Sequence, residues 1–513
     1  MANIPLELER WRAKIEVMAR DYGLDFFDTI FEMVTYKEMN QIAAYGGFPV
    51  RYPHWRFGME YESLSKGYEY GLSKIYEMVI NTDPCYAYLL EGNRMVDHKL
   101  VIAHVFGHVD YFKNNQWFAH TNRKMMDVMA NHATRIRRYI DRFGQDEVED
   151  FIDACLSLEN LIDRYSPYIK KETHAEKRQE EERNRNKSFL LPVDQERAYL
   201  EEYINPPDFI EQMQKKAKEQ EVVSELKFPN QPERDVLLFL MHYAPLKAWQ
   251  QDVLGIIREE SYYYAPQGMT KIMNEGWASY WHSTMMTKDI MDDSEVIDYA
   301  DVNSGTMAMS PTGFNPYKVG VELYRDVEDR WNKGRFGKEW NECTDIETKK
   351  TWDTGAGLGR KKIFEVRRNY NDVTFIDEFL TEEFCIKNKF FVYKFNQRTG
   401  KYEINTRDFP LIKQQLLFQL TNFGQPIIKV ENANFRNRGE LLLVHLWEGI
   451  DMQPDFMKAT LINLQRIWRR PVHVATVLDK KRVIVGFDGQ DFNEIKLDEE
   501  AELPEGKDSA EKK

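Results

Sequence analysis

The chain has 513 residues, enough for two or three domains with sizeable cores, and its 42% hydrophobic and 13% aromatic content describes a folded protein. A net charge of −14 argues against general binding to nucleic acid or anionic lipid, which would be repelled on average. The four cysteines, Cys85, Cys155, Cys343 and Cys385, form no CxxC pair, so reduced thiols in a cytoplasmic protein are expected, with neither a disulfide framework nor a cysteine zinc site.

No basic n-region and apolar h-region open the sequence, and no run approaches the roughly 20 apolar residues that span a bilayer, so no membrane insertion is expected. Leu6, Leu8, Trp11, Ile15, Met18 and Ala19 recur at helical steps across residues 5–35. Tyr45-Gly-Gly-Phe-Pro-Val-Arg-Tyr-Pro-His-Trp-Arg-Phe-Gly58 is turn-rich and aromatic, a covering loop or a site loop. Helical pattern resumes over 65–80 and continues after Pro84-Cys85; residues 121–165 read as amphipathic helices. These make a first helical domain, 1–165. A polar stretch, 166–192, follows as a charged insert or solvated helix. A second helical block, 193–375, is broken by Pro206-Pro207, Phe228-Pro229, Ala265-Pro266 and Ser310-Pro311. Residues 376–493 change period to β-β-α-β-β-α-β-β, a small α+β domain, and 494–513 is an acidic tail expected to be disordered. The fold class is therefore α+β, a large mainly helical N-terminal part followed by a smaller α+β part.

Nine of the eleven histidines precede residue 283, which places any metal or acid–base chemistry in the helical block. Within Val101-Ile-Ala-His-Val-Phe-Gly-His108, His104 and His108 stand four apart in an apolar run, so a helix presents both imidazoles on one face. Gly107 costs helix propensity there and implies a packing or access reason. Met273-Asn-Glu-Gly-Trp-Ala278 resembles the second motif of the gluzincin metallopeptidases, whose downstream helix supplies a third, glutamate ligand to a two-histidine zinc site. The resemblance implies His104, His108 and Glu275 as metal ligands, with a divalent metal, zinc by ligand type, and an open water position.

Val105 stands where such a peptidase carries its glutamate base. Replacement bases are Glu60, Glu62, Asp110, Glu259 or Glu260, of which Glu60 is carried forward with Glu275 and His282 as the catalytic set. His282, seven residues after Glu275, is a fourth ligand at full reach, or an orienting or substrate-facing group. His54, Arg56, Lys113, Asn114, Asn115 and Asn274 are candidate substrate-binding residues; Lys113-Asn-Asn115 equally well orders the helix end. The turn-rich Met309–Lys318 segment reads as a cleft wall or a plain connection.

Tyr22-Gly-Leu-Asp-Phe-Phe27, Phe48-Pro-Val-Arg-Tyr-Pro-His-Trp-Arg-Phe-Gly58, Ala103-His-Val-Phe-Gly-His108, Phe112-Lys-Asn-Asn115, Met273–Ala278 and Asn315-Pro-Tyr-Lys-Val-Gly320 together resemble the stage V sporulation protein R (SpoVR) family, over roughly residues 5–490. That resemblance implies a cytoplasmic protein of sporulation and spore cortex (peptidoglycan) formation. It also implies a PrkA-type serine kinase and a YeaH-like von Willebrand factor A-type protein as partners. It supplies no biochemical activity. Two readings stay open: a metal-dependent hydrolase of amide or peptide bonds, and a non-catalytic regulator or scaffold with a degenerate metal site.

Overall fold

A computed structural model describes residues 2–69, 77–169, 227–308 and 314–497. The polar insert beyond residue 169, the first half of the Met309–Lys318 turn and the acidic tail beyond residue 497 lie outside the described residues. The α+β class expected from the sequence is borne out, at 58% helix and 14% strand among the described residues.

The chain divides into two compact units, and each is built from separated pieces: Met1–Gln145 with Tyr263–Gln425, and Asp146–Tyr262 with Pro426–Lys513. A linear reading draws boundaries where the sequence pattern changes. The pieces of each unit instead find one another in space, so these units do not coincide with the five consecutive segments expected.

The first unit is organised around a helix spanning Met95–Asn114, here the histidine helix. Every residue from Val101 to Phe112 is buried. A helix apolar on all sides belongs at the centre of a domain, and each fully buried Val, Ile or Phe there contributes about 1.5–3 kcal/mol. Asp97 starts it by accepting a hydrogen bond from the Arg94 backbone N–H at 3.2 Å. Asn115 ends it, turning its side-chain oxygen to the Trp117 N–H at 2.9 Å to begin a short 3₁₀ turn.

Against it pack the helices Leu6–Asp21, Lys271–Met285 and Gly359–Asn369, the second of which is called the glutamate helix below. The glutamate helix packs in turn on a helix spanning Pro316–Asn332. Asn315 caps that helix, accepting from the Lys318 N–H at 3.2 Å, and Pro316 sits where its missing N–H costs nothing.

Four short strands, β1 (Ala2–Asn3), β2 (Thr29–Val34), β3 (Glu77–Ile80) and β4 (Cys85–Leu90), form a sheet of order β1-β2-β4-β3. β2 and β4 run parallel, from Thr29↔Cys85 to Val34↔Leu90; the other two pairings are antiparallel. The sequence pattern reads the stretches of β2, β3 and β4 as helical. β4 is buried at five of its six positions, so it carries no polar–apolar alternation to mark it as a strand.

The expected β-β-α-β-β-α-β-β order beyond residue 385 is present, but it is shared between the units. The hairpin β5 (Val392–Asn396) and β6 (Lys401–Thr406), with the helix Phe409–Leu420, belongs to the first. β7 (Ile428–Phe435), β8 (Glu440–His445), β9 (Val472–Leu478), β10 (Lys481–Phe487) and β11 (Phe492–Lys496) make the sheet of the second, in the order β11-β10-β9-β8-β7. The parallel pair β8 and β9 is joined through the helix Pro454–Trp468, which buries Met457, Leu461, Leu464 and Ile467. Residue Glu233, far away in the chain, bridges to Val430 of β7.

Candidate metal centre

The histidine and glutamate helices cross in opposite directions. His104 meets His282, Gly107 meets Ala278 and His108 meets Asn274, so rising numbers on one helix face falling numbers on the other. Asn274, Ala278 and His282 are spaced four apart and line one stripe of their helix. The crossing is close because Gly107 has no side chain: a Cβ there would lie 2.7 Å from the Ala278 Cα. That is the packing reason its place in the motif implied. The glutamate helix is held equally closely on another face, where Gly276 and Gly320 abut; a Cβ on Gly320 would stand 2.2 Å from the Ile272 carbonyl oxygen.

This crossing brings His104, His108 and Glu275 together, with one ligand atom of each within 4.8 Å of the others. Glu275 Oε2 lies 3.6 Å from His104 Nε2 and 3.4 Å from His108 Nε2. Among the described residues it is the one such group of three histidine, cysteine or acidic side chains. The His104 and His108 rings stand nearly perpendicular, 4.5 Å apart. Burial alone would raise the Glu275 carboxyl, but the two imidazoles outweigh it and hold that group well below the usual carboxylate range.

The outer ring nitrogens are fixed too. His108 Nδ1 lies 2.9 Å from Asn274 Oδ1, and His104 Nδ1 lies 2.8 Å from His282 Nδ1. An amide oxygen only accepts, so His108 carries a proton on Nδ1; its Nε2 faces the carboxylate either as a donor with a second proton, which is what lowers Glu275, or, with a metal bound, through its lone pair. A bound cation would take the place of that second proton between Nε2 and the carboxylate oxygen, 3.4 Å apart. The spacing suits a metal: bonds of about 2.0–2.1 Å in a tetrahedral site give ligand-to-ligand edges of about 3.3 Å. The donor set of two nitrogens and one carboxylate oxygen suits zinc.

Residues 4–425 match the family model described as SpoVR like protein. The chain belongs to the SpoVR family. The match ends where the first compact unit ends, at Gln425. The chain is also 28% identical, over 498 residues and 90% of each chain, to the protein described as "Uncharacterized protein YcgB" of Escherichia coli (strain K12). No solved structure matches. The SpoVR match takes in both ligand-bearing helices, so the centre lies within what the family shares a model for.

The remaining candidates of this SpoVR chain fall into three groups. His282 and Asn274 lie beside the centre, on the far nitrogens of the ligand rings. Burial, and next the neighbouring His104, hold His282 well below the ordinary histidine value. Lys113, Asn114 and Asn115 bond within the protein. Lys113 Nζ meets Asp25 Oδ1 at 2.5 Å, and Asn114 Nδ2 donates to the Asp25 carbonyl at 2.7 Å. Asn115 Nδ2 donates to Tyr111 Oη and to the carbonyls of Arg367 and Tyr370. Of the two uses the sequence left open for this triplet, these bonds order the helix end.

His54, Arg56 and Glu60 lie at and after the start of a different helix, Trp55–Glu69. His54 is buried between Trp55 and Phe57 and accepts the Arg56 N–H on Nδ1 at 3.3 Å, while Arg56 and Glu60 are exposed. Of the other bases considered, Asp110 is buried and already accepts from Trp277 Nε1 at 2.7 Å, the Asp25 N–H at 2.8 Å and Asn114. Glu62 pairs with Lys66, and Glu259 and Glu260 belong to the second unit. Val105 is wholly buried in the apolar core.

Two residues that position the site escaped the sequence reading. Asp372 accepts the N–H groups of Ile272 and Met273 at 2.8 and 2.9 Å, capping the glutamate helix from outside its own sequence. Tyr317 lays its ring 6.3 Å from that of His104, at 23°. The Asn315-Pro316 helix start was a usable signal for Tyr317; Asp372, 97 residues after Glu275, offered none.

Proposed function

We propose that this SpoVR protein is a metal-dependent hydrolase of amide or peptide bonds, centred on His104, His108 and Glu275. One observation carries the reading: two imidazole Nε2 atoms converge on the same buried carboxylate oxygen, at 3.6 and 3.4 Å. In it His104 and His108 donate nitrogen lone pairs to a divalent ion, zinc by donor type, and Glu275 supplies the third ligand and a negative charge. His282 and Asn274 keep the two rings in the ligating tautomer. A bound ion of this kind supplies Lewis acidity and a water of lowered pKa. Burial of the rings excludes competing solvent, while Glu275, with a side chain 16% exposed, marks the accessible side.

One observation favours a second reading. The position that carries the base in zinc peptidases is Val105, enclosed in the core, and no carboxylate can act from there. A regulator or scaffold that keeps the metal for stability would need none. Family membership supports the cellular setting proposed with either reading: spore cortex formation in the cytoplasm, with a PrkA-type kinase and a YeaH-like von Willebrand factor A-type protein as partners. No described helix is long and apolar enough to cross a membrane.

The test is elemental analysis of tag-free protein purified without chelators, beside a His104→Ala/His108→Ala variant. One equivalent of zinc that disappears in the variant is expected, followed by amidase and peptidase assays. Equal metal in both proteins, or none in either, overturns the centre. Metal without turnover of any amide or peptide tried moves the conclusion to the scaffold.

A further inference from the structure

The Nδ1 atom of each ligand ring meets a group that is not a carboxylate. His108 reaches the amide oxygen of Asn274, and His104 reaches the ring nitrogen of His282, itself only 3% exposed. When His104 holds an ion through Nε2 its Nδ1 donates, and the His282 nitrogen that accepts belongs to a neutral imidazole, since an imidazolium has no lone pair to offer. Metal-bound histidines elsewhere often lean on a carboxylate, which makes the ring a stronger donor and adds negative charge. Here the buried carboxylate nearest in sequence to His108, Asp110, is turned to Trp277, the Asp25 N–H and Asn114 instead. Both neutral acceptors come from the helix that also carries Glu275, on either side of the Gly107–Ala278 contact.

On the reading of the centre given above, we infer that His282 and Asn274 are positioning residues that orient the ligands without adding negative charge, so that the loaded centre selects an anionic partner such as a carboxylate or phosphate group. The charges decide this. A divalent ion with one carboxylate and two neutral imidazoles retains one positive charge. Two outer carboxylates would turn that into one negative charge. Inside a buried site a single charge is weakly screened, so the difference acts directly on what the open position accepts.

The experiment uses the full chain loaded with cobalt(II), with azide as the anionic probe and visible absorption as the readout. Asn274→Asp changes almost nothing but charge. It is expected to hold one equivalent of cobalt at least as tightly as the native chain and to bind azide about tenfold more weakly. His282→Leu, which removes the acceptor from His104, is expected to lose about 10- to 100-fold in cobalt affinity, and His282→Gln, which restores a neutral acceptor, to recover most of it. Circular dichroism monitors folding, and because the two arms act on different rings, misfolding in one leaves the other decisive. Native azide affinity in Asn274→Asp, or native cobalt affinity in His282→Leu, overturns the inference while the centre stands. A native chain that takes up neither cobalt nor zinc overturns the centre and this inference with it.

Discussion

Gly107 and Ala278 touch where the two ligand-bearing helices cross, so closely that a methyl group on the glycine would stand 2.7 Å from the Ala278 Cα and 3.2 Å from its Cβ. The obstacle is backbone, which cannot swing aside as a flexible side chain would. His104 and His108 flank the contact on one helix, and Asn274 and His282 flank it on the other. The distance between the helices is therefore also the distance between ligands.

Gly107→Ala sets two effects against each other. Alanine is the better helix former by about 1 kcal/mol. Overpacking against a fixed backbone costs about 1–3 kcal/mol, and here nothing yields, so the second effect wins. A lower melting temperature and weaker zinc binding are expected from calorimetry on the same variant. Native values for both would show that the helices part without consequence.

Glu275→Gln keeps the shape of the third ligand and removes its charge. The chain should fold, since the side chain is partly exposed and the helix is held by its glycine contacts. Zinc affinity should fall by at least about tenfold, measured by competition with a chromophoric chelator. Unchanged stoichiometry and affinity would remove Glu275 from the ligand set.

Metal should also stabilise the fold. Zinc at about one hundred times its dissociation constant is expected to add about 2.7 kcal/mol to unfolding, because the three ligands converge only in the folded chain. Denaturant titration with zinc and with EDTA measures this. No shift in midpoint would mean that the folded state gains nothing from the ion.

Asn115 and Lys113 should differ sharply despite standing two residues apart. Asn115→Ala leaves the buried carbonyls of Arg367 and Tyr370 short of a donor, at a cost of about 1–3 kcal/mol. Lys113→Ala removes one ion pair with a half-exposed Asp25, worth about 0–1 kcal/mol. Paired urea titrations compare them. A larger loss at Lys113 would assign it work beyond that pair.

Asp372 gives stability a pH dependence. Its burial pushes the carboxyl up to about 8, against the lowering effect of the Ile272 and Met273 N–H groups; an unfolded aspartate titrates near 3.9. Between these values the folded chain holds the proton more tightly than the unfolded chain. Its contribution is therefore fully present below about pH 4 and is lost as pH rises towards 8. Asp110, raised to about 6 by burial, acts in the same direction over the lower part of that range. His282, held low, opposes this below about pH 6.5 in native and variant chains alike, so in EDTA the denaturant midpoint of Asp372→Asn should rise relative to that of the native chain between about pH 5 and 8. Equal slopes would show that Asp372 is not the group responsible.

The centre was legible where chemistry repeats at short range. His104 and His108 four apart, and the Asn-Glu-Gly-aromatic-Ala run around Glu275, are local patterns, and they meet in space. What holds them was not legible, because it is set by pairs distant in the chain: Gly107 with Ala278, Gly276 with Gly320, Asp372 with Ile272. His282 shows the limit well. Its spacing from Glu275 allowed a ligand or an orienting residue, and only the opposite run of the two helices set its ring on the far side of His104. The N-terminal sheet escaped for a different reason, since β4, buried at five of its six positions, has the composition of a core helix and none of the alternation of an exposed strand. β8 and β9 are as uniformly buried as β4, but polar turn runs such as Asp479-Lys-Lys481 mark the C-terminal hairpins in the sequence, so the order of these strands was legible though not their assignment to units.

The insertion of Asp146–Tyr262 in the sequence between the two pieces of the first unit sets an order on the ribosome. His108 and Glu275 are 167 residues apart, and Asp146–Tyr262, most of what separates them, belongs to the other unit. At about 5–20 residues per second the histidine helix emerges roughly 8–33 s before the helix that covers it. For that interval twelve consecutive residues made for burial have no glutamate helix to pack against. A nascent chain thus exposes one face of that helix midway through synthesis, and truncation anywhere before residue 271 leaves a fragment that lacks both the glutamate helix and the third ligand.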